Sequence, residues 1–236
     1  MTKKLFVLTA VLAFVVAMGT ELAAEATVAV SVAPGPAYSH KVKFGLFSMN
    51  LVPQMAIWVE TAEGRFVDTI YVSQKAAAAK WSAAGGARRP EALPVWSHAR
   101  GIAAPDGSYM PDKAHRLPDA VSGSTPKAAF TATWEVPAGL APGSYRIRAE
   151  FNSSYDWNEA YPDKLPKTDP RYSEVNGQPS IVWECALELG GPAAKAALQP
   201  VGTGALRGED GAVAPGLAGI TSARDLAASI EAEYRP

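Results

Sequence analysis

The chain has 236 residues, 48% of them hydrophobic, and its 22 basic and 23 acidic residues leave a formal net charge of −1. This balance gives no indication of binding to nucleic acid or to an acidic membrane surface. The single cysteine, Cys185, excludes an internal disulfide, and its alternation with Trp183 and Leu187 predicts a small core residue in preference to a reactive thiol.

The first 26 residues have the pattern of a secretory signal peptide. Lys3 and Lys4 form a positive segment, residues 5–18 are almost wholly apolar, and a small-residue cleavage site ends at Ala26. The apolar run is shorter than a membrane-spanning helix requires, and a buried N-terminal helix is the alternative interpretation. We therefore predict export to the periplasm, followed by a single domain over residues 27–236 that does not itself span the membrane.

Alternation of apolar and polar residues predicts short β-strands through most of the mature chain. The clearest pair flanks a Gly-containing turn at residues 61–64 and predicts a hairpin. Residues 75–81 are rich in alanine and predict one or two helical turns. Residues 225–234 fit a helix by propensity or an edge strand by alternation, and the strand is favoured because short β elements dominate the chain. The hairpin strands are 54–60 and 65–73, and the other predicted strands are 27–32, 42–47, 130–136, 144–152, 180–189 and the weakly patterned 196–201.

Two long irregular segments interrupt these strands. Prolines and glycines punctuate residues 88–127, but anchors such as Trp96 and Tyr109 predict that the segment packs across the domain. The second segment, residues 155–176, is rich in Asp, Asn, Pro and Tyr. Residues 190–225 are rich in Gly and Ala, and their pattern is the least clear.

The strand at residues 144–152 carries an architectural signature. Arg146, Arg148 and Glu150 alternate with apolar residues, which predicts one solvated face. The preceding Pro-Gly turn and the sequence Ser-Tyr-Arg-Ile-Arg are typical of immunoglobulin-like domains. We predict an all-β fold, an immunoglobulin-like antiparallel β-sandwich with two long irregular loops.

A hydroxyl-rich run lies inside the first irregular segment and reads Asp-Ala-Val-Ser-Gly-Ser-Thr. It resembles the flavin-attachment motif of extracytoplasmic FMN-binding domains, which include subunits of ion-pumping NADH and ferredoxin:quinone complexes. The resemblance implies that an FMN transferase esterifies the last hydroxyl to the phosphate of FMN. Asp119, Ser122, Gly123 and Thr125 match the motif, with Thr125 as the acceptor, whereas Ser124 stands where the motif usually has alanine.

Elementary chemistry is compatible with that assignment. Gly123 permits close approach of a backbone or a cofactor, and a hydroxyl on an irregular loop can enter a transferase site. The alternative interpretation is a tight turn over residues 122–126 whose hydroxyls bond to nearby backbone.

A second resemblance spans almost the whole mature chain, and the stretches that carry it are residues 53–60, 89–100, the run to 126, 155–159 and 219–223. It implies membership in a family of predicted periplasmic bacterial proteins, catalogued as a domain of unknown function (DUF2271-like), whose members tend to be encoded with PepSY-type membrane proteins and FMN transferases. The leading prediction is therefore an exported accessory of a membrane redox or iron-linked system that carries covalent FMN on Thr125. The alternative is a non-catalytic immunoglobulin-like binding module without a cofactor.

Other candidate sites are less specific. His98 and His115, with Met55 or Met110, could supply ligands to copper or haem iron, but their spacing matches no compact metal motif. Acidic residues between 156 and 163 indicate a solvated loop in preference to a calcium site. The chain has no Gly-x-Ser-x-Gly nucleophile elbow, so an electron carrier or binding protein is predicted rather than a hydrolase or transferase.

Overall fold

The computed structural model describes residues 25–78, 89–111, 117 and 121–236. The predicted signal peptide therefore lies almost wholly outside the described residues. Three short helical elements are α1 (Gln74–Ala77), α2 (Pro94–Ala99) and a 3₁₀ helix (Ser222–Asp225). The strands are β1 (Thr27–Pro34), β2 (His40–Phe44), β3 (Phe47–Leu51), β4 (Gln54–Thr61), β5 (Phe66–Ser73), β6 (Ser122–Gly123), β7 (Phe130–Glu135), β8 (Gly143–Asn152), β9 (Ile181–Leu189), β10 (Ala194–Ala197), β11 (Gln199–Thr203), β12 (Ala214–Pro215) and β13 (Ala227–Arg235).

Two sheets form the body of the molecule. The four-stranded sheet has the order β10-β13-β1-β7, and the seven-stranded sheet has the order β12-β11-β9-β8-β4-β5-β6. Described strand pairs are antiparallel except for the short pairing of β5 with β6. The hairpin of β2 and β3 pairs with neither sheet. This architecture confirms the predicted all-β, immunoglobulin-like antiparallel sandwich.

The main core lies between the two sheets. Val28, Val30 and Val32 of β1 are at most 1% exposed, and Ile57 and Ile147 on the opposite sheet are fully buried. Full burial of a side chain of this size contributes roughly 1.5–3 kcal/mol. In β1 the burial alternates from Val30 to Val32, because one face of the strand meets the core, whereas β4 is buried at every position from Gln54 to Glu60.

Cys185 lies in the same core, as the sequence predicts. Its side chain is buried on β9, and burial raises the pKa of the thiol to about 11. The thiol therefore remains protonated at neutral pH, which removes most of its nucleophilic character.

The outer face of the seven-stranded sheet is covered as well. The side chains of Leu93, Val95 and Trp96, in or beside α2, pack on Trp58 and Val182 in a second cluster of buried residues. The irregular segment that contains α2 therefore packs across the domain, as its aromatic anchors predict. The prediction that β8 has a solvated face is therefore wrong at Glu150, whose side chain lies on that face and has no exposed surface.

Two strand predictions need correction. Residues 42–47 are not one strand but parts of β2 and β3, joined at Gly45 and Leu46. Residues 196–201 divide between β10 and β11, which belong to different sheets. The chain passes from one sheet to the other at Leu198, whose side chain is buried in the main core. The favoured strand at residues 225–234 does form, as β13, but it begins at Ala227 because Asp225 ends the 3₁₀ helix, and it lies between β10 and β1 rather than at a sheet edge.

A buried tyrosine ties the turn before β8 to the strand itself. The Tyr145 hydroxyl donates a hydrogen bond to the Ala141 carbonyl oxygen at 2.7 Å. This is the tyrosine corner of immunoglobulin-like sandwiches, in which a tyrosine at the start of a strand bonds to backbone a few residues upstream. The Pro-Gly turn and the tyrosine of the sequence signature thus both take part in this corner.

Candidate functional site

The hydroxyl-rich segment, residues 121–126, runs along the edge of the seven-stranded sheet. Ser122 and Gly123 form β6, which pairs in parallel with the end of β5. The hydroxyl of Tyr71, on β5, donates to the carbonyl oxygens of Gly123 and Ser124, both at 3.2 Å. The neighbouring strand therefore fixes the backbone of the motif.

Thr125 is half-buried, and its Oγ1 donates a hydrogen bond to the Pro53 carbonyl oxygen at 3.2 Å. The Pro126 carbonyl oxygen accepts a hydrogen bond from the Tyr38 hydroxyl at 2.7 Å. Tyr38 precedes β2 and Pro53 follows β3, so both ends of the β2–β3 hairpin hold this segment. Asp119, the first residue of the motif, lies outside the described residues.

The surroundings of Thr125 fit a phosphoester-linked flavin. The 3.2 Å bond from Oγ1 to Pro53 is long for a hydroxyl donor, so replacing its proton by phosphorus removes little stabilisation. The ring of Tyr71, against the segment, packs at 5.4 Å on that of Phe130 and offers aromatic surface. Exposed Lys127 lies two residues after the acceptor in the sequence, and a cation can offset phosphate charge.

A buried carboxyl group lies between the outer face of the sheet and α2. Glu150 accepts hydrogen bonds from the backbone amides of Val95 and Trp96, at 3.2 and 2.8 Å, and from the Ser180 hydroxyl at 2.6 Å. Burial raises the pKa of Glu150 to about 7, although these three donors and the charge of Arg148 oppose the shift. The group therefore exchanges its proton near neutral pH.

Next to it, Arg148 joins two carboxylates. Its Nη1 lies 3.3 Å from Oε1 of Glu60 and its Nε lies 2.9 Å from Oε2 of Glu184. Trp58 donates its indole N–H to Glu60 at 2.7 Å, and the Arg148 guanidinium lies 5.7 Å from the Trp58 ring centroid. The cation is thus paired with two carboxylates and lies against an aromatic face.

His98 lies at the rim of this cluster. Its Nδ1–H donates to the Pro94 carbonyl oxygen at 2.8 Å, and its ring stacks on Tyr109 at 4.3 Å. The hydrogen bond leaves Nε2 as the unprotonated nitrogen of the neutral ring. A cleft of about 320 Å³ is lined by Glu60, Gly64, Val95, His98, Ala99, Arg146, Arg148 and Gly211.

The two methionines considered for a copper or haem site lie in different clusters. Met55 and Met110 are both buried, Met55 in the main core and Met110 in the outer cluster, away from an open ligand position. His115 lies outside the described residues. Within the described part of the chain no group of three or more His, Cys, Asp and Glu side chains could hold a metal ion.

A second polar cluster was not recognised in the sequence. His40 Nδ1 lies 3.2 Å from the Ser153 hydroxyl, and the Ser222 hydroxyl donates to Oδ1 of Asp156. Buried Nε2 of His40 and Oδ2 of Asp156 lack hydrogen-bond partners, and burial raises the pKa of Asp156. These residues come from distant parts of the chain, so no local spacing could have indicated the cluster.

The two irregular segments meet in a further cleft of about 420 Å³. Arg89 connects them, because its Nη1 donates to Ser154 at 2.6 Å and its Nη2 donates to Asn176 at 3.0 Å. Its Nε also pairs with Glu91 at 2.9 Å. The cleft is lined by Pro90, Glu91, Lys167, Tyr172, Ser173, Glu174, Leu206 and Arg207.

Comparisons with protein-family models, curated proteins and solved structures gave no match to this chain. None of the helices in the described ranges has the length and apolar composition needed to cross a membrane.

Proposed function

We propose that the protein is an exported accessory of a membrane redox or iron-linked system and that it carries FMN covalently on Thr125. The observation that supports this proposal is the position of the Ser-Gly-Ser-Thr run at an open sheet edge, with the Thr125 hydroxyl half-buried and weakly bonded. The expected partners are an FMN transferase and a PepSY-type membrane protein, as the family resemblance implies.

Attachment requires one bond to form and one to break. With a flavin dinucleotide as donor, Oγ1 of Thr125 bonds to the phosphorus of FMN, the pyrophosphate bond breaks, and AMP leaves with the hydroxyl proton. The side chain gains FMN less one water. Bound FMN would supply one- and two-electron transfer, while Tyr71 and Phe130 would provide an aromatic surface and Lys127 would offset phosphate charge.

Intact mass spectrometry tests the proposal directly. The protein is exported in a host that supplies an FMN transferase, and we expect a mass gain of FMN less water on the tryptic peptide covering residues 117–127. Thr125→Ala should abolish the gain, whereas Thr125→Ser keeps a hydroxyl and should retain part of it. Ser124→Ala is the matched control and should remain fully modified. An unmodified wild-type chain in that host contradicts the Thr125 assignment.

The cleft between the two irregular segments favours a second candidate function, a cofactor-free binding module. Its walls come from both segments, and Arg89 ties them into one surface. Lys167 and Arg207 give this surface a basic side, although carboxylates of Glu91 and Glu174 also line it. An unmodified mass in the experiment above would make this the better assignment.

A further inference from the structure

The β2–β3 hairpin has two unlike faces. Successive residues of a strand point to opposite sides, so each five-residue strand contributes to both faces. Cross-strand pairing then brings like residues together in four of the five pairs, the exception being His40 opposite Leu51 at the base. The apolar face carries Val42, Phe44, Phe47 and Met49, and the polar face carries Lys41, Lys43, Ser48 and Asn50.

The tip of this hairpin exposes large apolar side chains. Gly45, at φ 59°, and Leu46 form a two-residue turn, and glycine at its first position suits the turn that continues strand twist. Leu46 is 100% exposed, Phe47 78% and Met49 53%, the three most exposed large apolar side chains in the described part of the chain. Single exposed apolar residues scattered over a surface are common, whereas several together at one tip indicate an interaction surface.

Aromatic side chains pack against the base of the hairpin. Phe44 meets Tyr155 edge-on at 5.0 Å, and Tyr155 meets Trp157 at 5.3 Å. Tyr155 has a φ of 60°, a conformation that residues other than glycine rarely adopt. Tyrosine and tryptophan are the residues that concentrate at the headgroup level of membranes.

The charge of the hairpin identifies the kind of surface it fits. Residues 41–59 contain Lys41 and Lys43 but no Asp or Glu, although the whole chain has a net charge of −1. Lysine stems lie along apolar surface while the ammonium groups reach polar headgroups. An apolar tip combined with neighbouring lysines is the composition of segments that bind the interface of anionic bilayers.

We propose that the β2–β3 hairpin docks the protein on an anionic phospholipid bilayer. The side chains of Leu46 and Phe47 enter the acyl-chain boundary, and Met49 follows them on the same face. Lys41 and Lys43 pair with lipid phosphates beside the inserted tip. The inference does not depend on flavin attachment, because no atom of the hairpin tip takes part in it.

Co-sedimentation with vesicles tests this proposal on the unmodified mature chain. We expect binding to vesicles of phosphatidylcholine mixed with phosphatidylglycerol and weak binding to phosphatidylcholine alone. The double variant Leu46→Ser, Phe47→Ser should lose at least about tenfold in affinity because the apolar insertion is removed. Lys41→Gln with Lys43→Gln should lose roughly tenfold on anionic vesicles only, and added salt should produce a similar loss.

The matched control substitutes exposed apolar residues elsewhere, Ile102→Ser with Val201→Ser, and should bind as the wild type does. Unchanged unfolding midpoints show that each variant is folded. Failure of the wild type to bind anionic vesicles would overturn the proposal, as would equal binding by the tip variant. Self-association that the tip variant abolishes, without vesicle binding, would assign the surface to a second copy of the chain and also overturn it.

Discussion

A carboxyl group without exposed surface, such as that of Glu150, is stable in a fold only when donors or a proton compensate its lost hydration. Here two backbone amides and one hydroxyl point at it, and burial still raises its pKa to about 7. The folded state therefore holds this proton more tightly than the unfolded chain does, where the ordinary carboxyl value of 4.5 applies.

This difference predicts a pH-dependent stability. Protonation of Glu150 favours the fold, so its contribution is complete below pH 4.5 and is lost as the pH rises through about 7. We expect this group to lower the free energy of unfolding by roughly 3 kcal/mol over that window. Urea unfolding of the wild type and of Glu150→Gln between pH 5 and 8 gives the free energy of unfolding of each against pH, and the difference between the two curves measures this contribution. Parallel profiles would contradict the prediction, and Glu188→Gln, at an exposed position of β9, is the control.

The hydrogen bond of the tyrosine corner allows a second stability prediction, of smaller magnitude. Tyr145→Phe removes only the hydroxyl that bonds to Ala141, so the free energy of unfolding should fall by about 1 kcal/mol with an unchanged denaturant slope. Tyr172→Phe is the matched control, since within the described residues the Tyr172 hydroxyl makes no hydrogen bond. Equal losses in the two variants would show that the corner bond contributes nothing specific.

At the scale of elements, α2 and its flanking segment act as a cover for the outer face of the larger sheet. Trp96 is fully buried there and donates its indole N–H to Thr69 at 3.1 Å. Trp96→Ala should cost about 3–5 kcal/mol and open residues 89–111 to limited proteolysis. Ile102→Ala, at an exposed position of the same segment, should change neither stability nor cleavage. Cleavage that stays confined to other loops in Trp96→Ala would contradict the covering role.

Sequence patterns predicted most strands because alternation reports which face of a strand is buried. The same rule missed the turn between β2 and β3. Val42, Phe44 and Leu46 are apolar at every second position, so the alternation continues into the two-residue turn. Gly45 is the only local signal of that turn. It also placed Glu150 in solvent, because the covering segment is irregular and far away in the chain. The residues of a strand do not indicate which distant segment packs on its second face.

The candidate sites also differ in how far the sequence could predict them. The run ending at Thr125 was recognisable because its residues are consecutive, and its location at a sheet edge could not be read from them. His40, Ser153 and Asp156 meet only through the tertiary fold, with His40 and Ser153 separated by 113 positions. Contiguous motifs are visible in a sequence, whereas clusters assembled from separate elements require the structure.

For the whole molecule, the two proposals share a geometric link. Tyr38 and Pro53, at the two ends of the hairpin, bond to the segment that contains Thr125. Five strand residues at about 3.4 Å each span roughly 17 Å, so a hairpin inserted at its tip would hold Thr125 close above the headgroups. That position would suit exchange of electrons with a partner in the membrane.

The last strand of the chain is an interior strand of its sheet. β13 lies between β10 and β1, and Thr27 pairs with Arg235. Without β13, β1 keeps its pairing with β7 but loses its other neighbour, and β10 has no partner in this sheet. The four-stranded sheet is therefore complete only when β13 is in place. On the export route proposed above, this dependence would delay completion of the smaller sheet until β13 is available.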